Sequence, residues 1–250
     1  MSRLFDPLRK AREVESIVTR QGEEGQERKY YRFRGGSWYG GIATADCVGC
    51  CLRCVFCWSY YPREHPDTCG TFYSPSEVAR RLLAIAKRRG YNKVRISGSE
   101  PTIGKEHLLK VFEYVSVEKV LFILETNGIL IGYDRDYARA LSRFDNIHVR
   151  VSIKGCTPDE FSRLTGAVPE AFELQLKALE NLLDAGVSCH PAVMLSFSDR
   201  DSIAYLVQKL SEIEPTLVNN IEEEYVILYP HVARRLKQAG IWPRTYCSLR

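Results

Sequence analysis

The chain has 250 residues, of which 45% are hydrophobic and 26% are charged, and its formal net charge is +4. This length allows one barrel-sized domain or two small ones, and the mild charge permits an acidic or nucleic-acid partner without requiring one. No apolar run approaches the ~18 residues of a membrane span, and no apolar core follows the basic residues at the N-terminus, so we expect a cytoplasmic protein with no membrane partner.

The first 38 residues are predicted to form an N-terminal extension, which consists of a helix and a hairpin. Residues 1–28 are highly charged and are predicted to form a surface helix and a mobile loop, and residues 30–47 have a β-type composition broken by paired glycines. Such a pattern is typical of a hairpin that leads into a strand. We therefore expect the first strand of a core domain, residues 39–231, near Gly41–Asp46, and a C-terminal tail over residues 232–250.

Five of the nine cysteines follow this strand closely, at Cys47, Cys50, Cys51, Cys54 and Cys57. In a reducing compartment, clustered cysteines bind metal or do redox chemistry more often than they form disulfides. All of them except Cys51 could close a tetrahedral zinc site, as in a zinc-knuckle binding module. Alternatively, Cys50, Cys54 and Cys57 could bind three irons of a cubane cluster and leave the fourth iron open. The short spacer between the pairs leaves little room to wrap zinc, and the loop therefore favours iron.

Helices and strands alternate in the rest of the core domain. Ser74 is a good N-cap, Pro75 suits the first helical position, and Glu77 completes a capping box before a helix that ends at Gly90. Further strands are predicted at residues 93–97, 119–125, 146–154, 187–195 and 224–231, and further helices at residues 103–114, 133–142, 172–186 and 200–213. Six strands joined by helices pair in parallel with right-handed crossovers. Both an open doubly wound sheet and a partial (β/α)6 barrel satisfy this order.

The fourth strand favours the barrel, because its two faces differ. One face carries Ile147, Val149, Val151 and Ile153, and the other carries His148, Arg150, Ser152 and Lys154. An open α/β sheet normally buries apolar side chains on both faces, so the polar row fits the lumen of an incomplete barrel around a polar ligand. A sheet-edge strand with one wet face is the alternative. We predict an α/β fold, a partial TIM barrel (β/α)6 with an N-terminal extension.

Polar turns follow the predicted strands at the end where sites lie in parallel α/β folds. Strand two ends in Ser-Gly-Ser-Glu-Pro (residues 97–101), strand three in Glu-Thr-Asn-Gly (125–128), strand four in Ser-Ile-Lys-Gly (152–155) and strand six in Tyr-Pro-His (229–231). The cysteine loop follows strand one at the same end.

These motifs together resemble the radical S-adenosylmethionine superfamily. Cys50-x3-Cys54-x2-Cys57 with Phe56 is similar to its cluster signature, and residues 97–101 resemble its Gly-Gly-Glu-Pro motif, with Ser99 in place of the second glycine. The later turns are similar to those of the pyruvate formate-lyase activating-enzyme branch. The resemblance extends from about Gly41 to His231.

The resemblance implies a mechanism and a set of cofactor-binding residues. Cys50, Cys54 and Cys57 would hold a 4Fe–4S cluster that reductively cleaves S-adenosylmethionine to a 5′-deoxyadenosyl radical, which removes a hydrogen atom from the substrate. The residues implied to bind or orient S-adenosylmethionine are Phe56 near the adenine, Gly98, Ser99 and Glu100 near the ammonium group, Glu125, Thr126, Asn127 and Ser152 in the turns, and Lys154 and His231 on the carboxylate or ribose side. Lys154 is counted among the catalytic residues as well.

The same resemblance implies partners, and here alternatives stay open. The activating-enzyme branch implies a protein substrate with a glycyl radical and an electron donor of flavodoxin or ferredoxin type. Glu125 and Ser152 replace two aspartates of that branch, which counts against its monovalent-cation site. Residues 54–58 also resemble an enzyme family that acts on tRNA, and the basic, aromatic stretch near residue 30 could then bind an RNA substrate. A small-molecule substrate is the third possibility.

We expect the protein to be a monomer. Cys47 and Cys51 lie outside the motif, and we expect them to be small buried side chains.

Overall fold

A computed structural model describes residues 4–248, and its strands form one sheet. The strands are β1 (Thr19–Gly22), β2 (Gly25–Gly36), β3 (Ile42–Cys47), β4 (Thr71–Tyr73), β5 (Lys93–Ser97), β6 (Leu121–Thr126), β7 (Ile147–Ile153), β8 (Cys189–Met194) and β9 (Glu222–Glu224). Their order is β1-β2-β3-β5-β6-β7-β8-β9, and β4 pairs with β2. The pairs from β3 to β9 are parallel, and β1, β2 and β4 pair antiparallel at the N-terminal side.

Helices precede, connect and follow the strands. They are α1 (Pro7–Val18), α2 (Tyr60–Glu64), α3 (Pro75–Arg89), α4 (Lys105–Val115), α5 (Ile129–Tyr133), α6 (Arg135–Leu141), α7 (Pro158–Thr165), α8 (Phe172–Asp184), α9 (Arg200–Ile213), α10 (Thr216–Asn219) and α11 (Pro230–Gln238). In α3, the Ser74 side chain accepts from the Glu77 amide at 3.3 Å, and Gly90 ends the helix with a φ of 68°, as its sequence predicts. None of the helices described is long and apolar enough to cross a membrane.

The two faces of β7 confirm the predicted partial barrel. Its apolar row is buried on the side that α8 covers, where Val149, Val151 and Ile153 are fully inaccessible to solvent. On the other face, Arg150 reaches across β8 to the carboxylates of Glu222 and Glu224 on β9. Because parallel strands alternate with helices and the inner face of the sheet is polar, the fold is the predicted α/β partial TIM barrel.

The sixth parallel strand was misplaced by the sequence pattern. We predicted it at residues 224–231, but the strand is β9, Glu222–Glu224, and the apolar stretch that follows leaves the sheet. Ile227 forms an isolated bridge with Cys247, and Pro230 starts α11. Three consecutive glutamates have low strand propensity. They form a strand here because two of them face cations across the sheet.

The N-terminal segment is part of the same sheet as the core. β2 pairs antiparallel with β3, from Tyr30 opposite Cys47 to Gly36 opposite Ile42. Helix α1 lies in this segment, but the stretch after it, expected as a mobile loop, forms the hairpin of β1 and β2. The N-terminal extension as a separate unit and the domain boundaries near residues 38 and 231 stay predictions. Helix α7 was not predicted, although Thr157 as its N-cap and Pro158 at its first position are ordinary start signals.

Candidate functional site

The cysteine loop lies at the carboxyl end of β3 and is held by its backbone. The amides of Arg53 and Val55 donate to the carbonyls of Thr165 and Leu164 at the end of α7, at 3.1 and 2.9 Å. The amide of Cys57 donates back to the carbonyl of Cys54 at 3.1 Å. These contacts present the loop toward the rim of the barrel.

The three cysteines of the motif differ in their exposure to solvent. Cys54 is buried, whereas Cys50 and Cys57 are partly accessible. Burial raises the pKa of Cys54 to about 12 and raises that of Cys57, while a hydrogen bond from Cys51 lowers the pKa of Cys50. Thiols bind metal as thiolates, so metal binding at this loop must release protons.

The other two cysteines have separate environments. The thiol of Cys47 is fully buried on the helix side of β3, near the Ser99 amide, and burial raises its pKa to about 12. Cys51 is also fully buried and accepts a hydrogen bond from Asn127 Nδ2 at 3.3 Å. Both are small buried side chains, as predicted.

A zinc site of the kind that the cysteine spacing allows would need Cys47 beside the other three thiols. Zinc–sulfur bonds of 2.3 Å place the sulfurs of a tetrahedral site about 3.8 Å apart. Within residues 4–248, no three His, Cys, Asp or Glu side chains lie close enough together to bind a single metal ion. In a cubane cluster each cysteine binds a different iron, and the cluster itself fills the space between the sulfurs. Cys50, Cys54 and Cys57 are three thiols on one loop, two of them partly accessible, and they are the residues that would hold such a cluster.

The turn after β5 lies directly against the cysteine loop. Gly98 has a φ of +95°, and a Cβ there would lie 2.9 Å from Asp46 Cβ, so this position requires glycine. The amide of Glu100 donates to the carbonyl of Gly49 at 3.0 Å. Ser99 Oγ is buried without a hydrogen-bond partner among the described residues. This hydroxyl fits a polar ligand at the turn.

The carboxylate of Glu100 connects two of the predicted turns. It is 1% exposed and accepts from the Thr102 amide at 3.1 Å, Thr102 Oγ1 at 2.6 Å, Thr126 Oγ1 at 2.7 Å and the Asn127 amide at 2.8 Å. The turns after β5 and β6 are therefore fixed to each other. Contact of Glu100 with an ammonium group stays a prediction, which has to compete with these four donors.

Glu125 lies deeper in the lumen than its neighbours Thr126 and Asn127. It accepts from Arg95 Nη1 at 2.5 Å, Ser97 Oγ at 2.6 Å and Tyr39 Oη at 3.3 Å. Tyr39 takes a left-handed backbone conformation, with a φ of 54°. The structure thus places Glu125 in a hydrogen-bond network across the barrel, and its role toward a cofactor stays a prediction.

Lys154 lies close to Phe56 of the cysteine loop, while the roles of both toward a cofactor stay predictions. Lys154 Nζ lies 6.0 Å from the centroid of the Phe56 ring and 3.7 Å from Glu224 Oε2, and it donates to Ser152 Oγ. Its side chain is 16% exposed. Lys154 therefore points into the barrel toward the cysteine loop, with Ser152 below it.

His231 is not at the end of a strand. It lies in the first turn of α11, is exposed, and its Nε2 is 3.2 Å from the carbonyl oxygen of Trp58. The histidine is thus next to the cysteine loop, although the strand assignment behind its prediction was wrong. Its role toward a cofactor stays a prediction.

Two groups of charged residues were missed by sequence reasoning. Arg63 and Arg235 donate to carbonyls of the cysteine loop. Glu222 and Glu224 lie in the lumen and pair with Arg150. Glu222, Glu223 and Glu224 are consecutive, so no alternation in the sequence marked the two that face the lumen, and the arginines had no recognisable pattern either.

Comparison with known proteins gives the following similarities. A probable GTP 3′,8-cyclase of Thermococcus kodakarensis is 27% identical over 152 residues, which are 60% of this chain and 46% of that protein. A GTP 3′,8-cyclase of Petrotoga mobilis is 29% identical over 161 residues, 61% of this chain and 46% of that protein. The chain therefore spans about half the length of these curated relatives.

The fold is also similar to that of solved structures. Streptococcus suis SuiB bound to S-adenosylmethionine aligns with a TM-score of 0.54 at 18% identity, over 81% of this chain and 48% of that chain. Such a likeness concerns the fold alone. The sequence profile of the Radical SAM superfamily matches residues 46–210, a range that includes the cysteine loop and every parallel strand from β5 to β8. The chain belongs to the radical SAM superfamily, whose cofactors are a 4Fe–4S cluster and S-adenosylmethionine.

Proposed function

We propose that this protein reductively cleaves S-adenosylmethionine and abstracts a hydrogen atom from a polar small molecule of the nucleotide or nucleoside class, which binds in the barrel lumen. The sequence motifs favoured the glycyl-radical activating enzymes, with a protein substrate. The relatives named above are cyclases of GTP, and they support the small-molecule alternative better.

The charged lining of the lumen carries this proposal. Five cations, Arg32, Arg34, Arg95, Arg150 and Lys154, face four carboxylates, Asp46, Glu125, Glu222 and Glu224, and each carboxylate is within 4 Å of at least one of the cations. A lining that is nearly charge-balanced offers many donors and acceptors at fixed positions. It suits a substrate that presents both kinds of group, as a nucleobase and a ribose do.

The side chains of this protein would divide the work at the rim. Cys50, Cys54 and Cys57 would hold the cluster, which, with S-adenosylmethionine bound, supplies the hydrogen-abstracting radical. Gly98 allows close approach of backbone to the cofactor, and Ser99 offers an unused hydroxyl. Lys154 would supply a cation that suits a carboxylate. The buried ring of Phe56 beside it would exclude water.

The test uses anaerobically reconstituted protein with dithionite and S-adenosylmethionine. We expect iron and sulfide with broad visible absorption, and 5′-deoxyadenosine whose formation increases when GTP or guanosine is added. Deuterium from a labelled substrate should appear in the 5′-deoxyadenosine. The Cys57→Ala variant is the matched control and should form none.

Other substrate classes are outcomes of the same assay. A set of purine nucleosides and nucleotides that leaves the rate unchanged, together with acceleration by a peptide or an RNA that copurifies, would overturn the small-molecule proposal. Stoichiometric zinc in place of iron would overturn the radical chemistry itself.

The reductant we propose is an acidic flavodoxin or ferredoxin. Helix α11 lies on the outer side of the cysteine loop and carries Arg234, Arg235 and Lys237 without an acidic residue. A basic surface of this kind attracts an acidic partner, and the rate of its reduction by such a carrier should fall steeply with salt.

A further inference from the structure

Two arginines outside the cysteine motif hold the backbone of its second half. Arg63 in α2 is 7% exposed and donates from Nη1 to the carbonyl of Cys54 at 2.7 Å. Arg235 in α11 donates from Nε to the carbonyl of Val55 at 3.3 Å and from Nη2 to the carbonyl of Cys57. Elements far apart in the sequence thus converge on the segment between two of the expected cluster ligands.

Next to the second half of the cysteine loop, the arginine side chains carry more positive charge than the carboxylate that they contact can neutralise. Arg63 shares the carboxylate of Glu64 with the exposed Arg53, at 2.9 and 2.6 Å. Both hydrogen bonds described for Arg235 end on loop carbonyls. The guanidinium groups of Arg63 and Arg235 also contact the same ring, with their carbons 5.2 and 4.2 Å from the centroid of Tyr60.

Like charges gathered in a partly buried place repel each other unless an anion lies nearby. Three thiolates around an iron–sulfur cluster give the loaded loop a negative charge, and reduction by one electron increases it. The arginines therefore interact more favourably with the reduced cluster than with the oxidised one. Charge and hydrogen bonds around the sulfurs are among the factors that set cluster potentials.

We propose that Arg63 and Arg235 are positioning residues that raise the reduction potential of the cluster held by Cys50, Cys54 and Cys57. The inference rests on the proposed function, because it requires the cluster. It extends that function to the electron-transfer step, and it gives helix α11 a part in the site although α11 lies outside the segment that matches the superfamily.

The midpoint potential of the reconstituted protein tests this. Arg235→Gln is the primary variant, because its side chain is partly exposed and the change keeps a hydrogen-bond donor. We expect the equilibrium between oxidised and reduced cluster to shift about tenfold toward the oxidised form, a potential lower by about 59 mV for one electron. Arg234→Gln, on the exposed side of the same helix, is the control and should leave the potential unchanged, since solvent screens its charge.

Charge-conserving variants separate electrostatics from loop packing. Arg235→Lys and Arg63→Lys should keep the potential near that of the wild type, even where the melting temperature falls. An unchanged potential in Arg235→Gln, or equal shifts in Arg235→Gln and Arg235→Lys, would overturn the proposal. Loss of iron from Arg235→Gln at an unchanged melting temperature would overturn it too, because the residue would then only hold the loop.

Failure of the proposed function gives a different result. If wild-type protein assembles no 4Fe–4S cluster, both proposals are wrong and no potential is observed. If the wild type has a reducible cluster and Arg235→Gln shares its potential, only the role of the arginines is wrong.

Discussion

Replacing Arg150 with Met should lower the free energy of unfolding, because it removes the ion pairs of Arg150 with Glu222 and Glu224 in the lumen. The guanidinium donates to Glu222 at 2.8 and 2.9 Å and to Glu224 at 2.9 Å, and its side chain is only 9% exposed. Removing one partner of a buried ion pair costs about 3–5 kcal/mol. The carboxylates of Glu222 and Glu224 are 39% and 23% exposed, which lowers the expected loss to about 2–4 kcal/mol. In a chain of this length, the melting temperature should fall by about 5–12 °C.

The loss should depend on pH in a defined direction. A hydrogen bond from His190, together with Arg150, lowers the pKa of Glu222 to about 2. Burial opposes ionisation of Glu224, but Lys154 and Arg150 lower its pKa overall. Carboxylates with depressed pKa values stabilise the fold above their unfolded pKa of about 4.3, and this contribution is lost as the pH falls toward 2. The difference in melting temperature between wild type and Arg150→Met should therefore be largest above pH 5 and shrink below pH 4.

Thermal unfolding followed by circular dichroism between pH 3 and pH 8 measures this difference. Arg139→Met is the matched control, because Arg139 is 64% exposed and pairs only with Asp136 on the surface of α6. It should change the melting temperature by about 1 °C or less. An effect of Arg150→Met as small as that of the control, or one that is uniform across this pH range, would refute the charge-pairing argument.

Three further results are expected. Cys57→Ala should abolish both iron binding and 5′-deoxyadenosine formation, whereas Cys47→Ala should keep most of each, and equal iron loss in the two variants would contradict the three-thiolate site. Lys154→Ala should weaken S-adenosylmethionine binding by roughly 10- to 150-fold, the value of one hydrogen bond to a charged group, while the melting temperature changes little; unchanged affinity in calorimetry would remove this lysine from the cofactor site. Gly98→Ala should destabilise the protein by about 2 kcal/mol or more, because a Cβ there meets backbone, whereas Gly90→Ala, with open space around it, should cost about 1 kcal/mol, and similar denaturation midpoints would contradict this difference.

Local patterns in the sequence predicted the parts of the fold that local physics determines. The capping residues of α3 and the alternating faces of β7 each depend on neighbours within a few residues, and both are present as predicted. The motif cysteines and the turn at Gly98 were recognised because their spacing and backbone requirements are also local. The alternation of side chains along β7 also predicted that Lys154, just after the strand, points into the barrel, where it lies near Glu224.

Pairings between distant segments could not be predicted in the same way. The glutamates of β9 meet Arg150, two strands away, and this pairing with Glu222 and Glu224 is not marked in the local sequence. Glu125, whose role toward the cofactor stays a prediction, pairs with Arg95 and Ser97 on the neighbouring strand, which its sequence did not indicate. In both cases the partner is a long-range charge, and no single-sequence pattern specifies which cation a carboxylate meets.

Hydrogen bonds also connect the rim of the barrel from one strand end to the next. Glu100 joins the cysteine loop, through the carbonyl of Gly49, to the turn at Asn127. Asn127 Nδ2 lies 3.7 Å from the sulfur of Cys50 and so returns this connection to the loop. The cysteine loop and the two turns expected at the cofactor are thus parts of one buried hydrogen-bond network.

Gln175 extends the network to the fourth strand. Its side chain, from α8, is fully buried, donates to the carbonyls of Asn127 and Ser152 at 2.6 and 2.9 Å, and accepts from the Lys154 amide at 3.1 Å. Four successive strand ends are therefore held in place before any cofactor binds. Binding to a rim that is already ordered loses little conformational entropy, so more of the interaction energy is available for orienting the cofactor. Gln175 therefore contributes to the geometry of the site by holding two strand ends, whether or not its own side chain meets the cofactor.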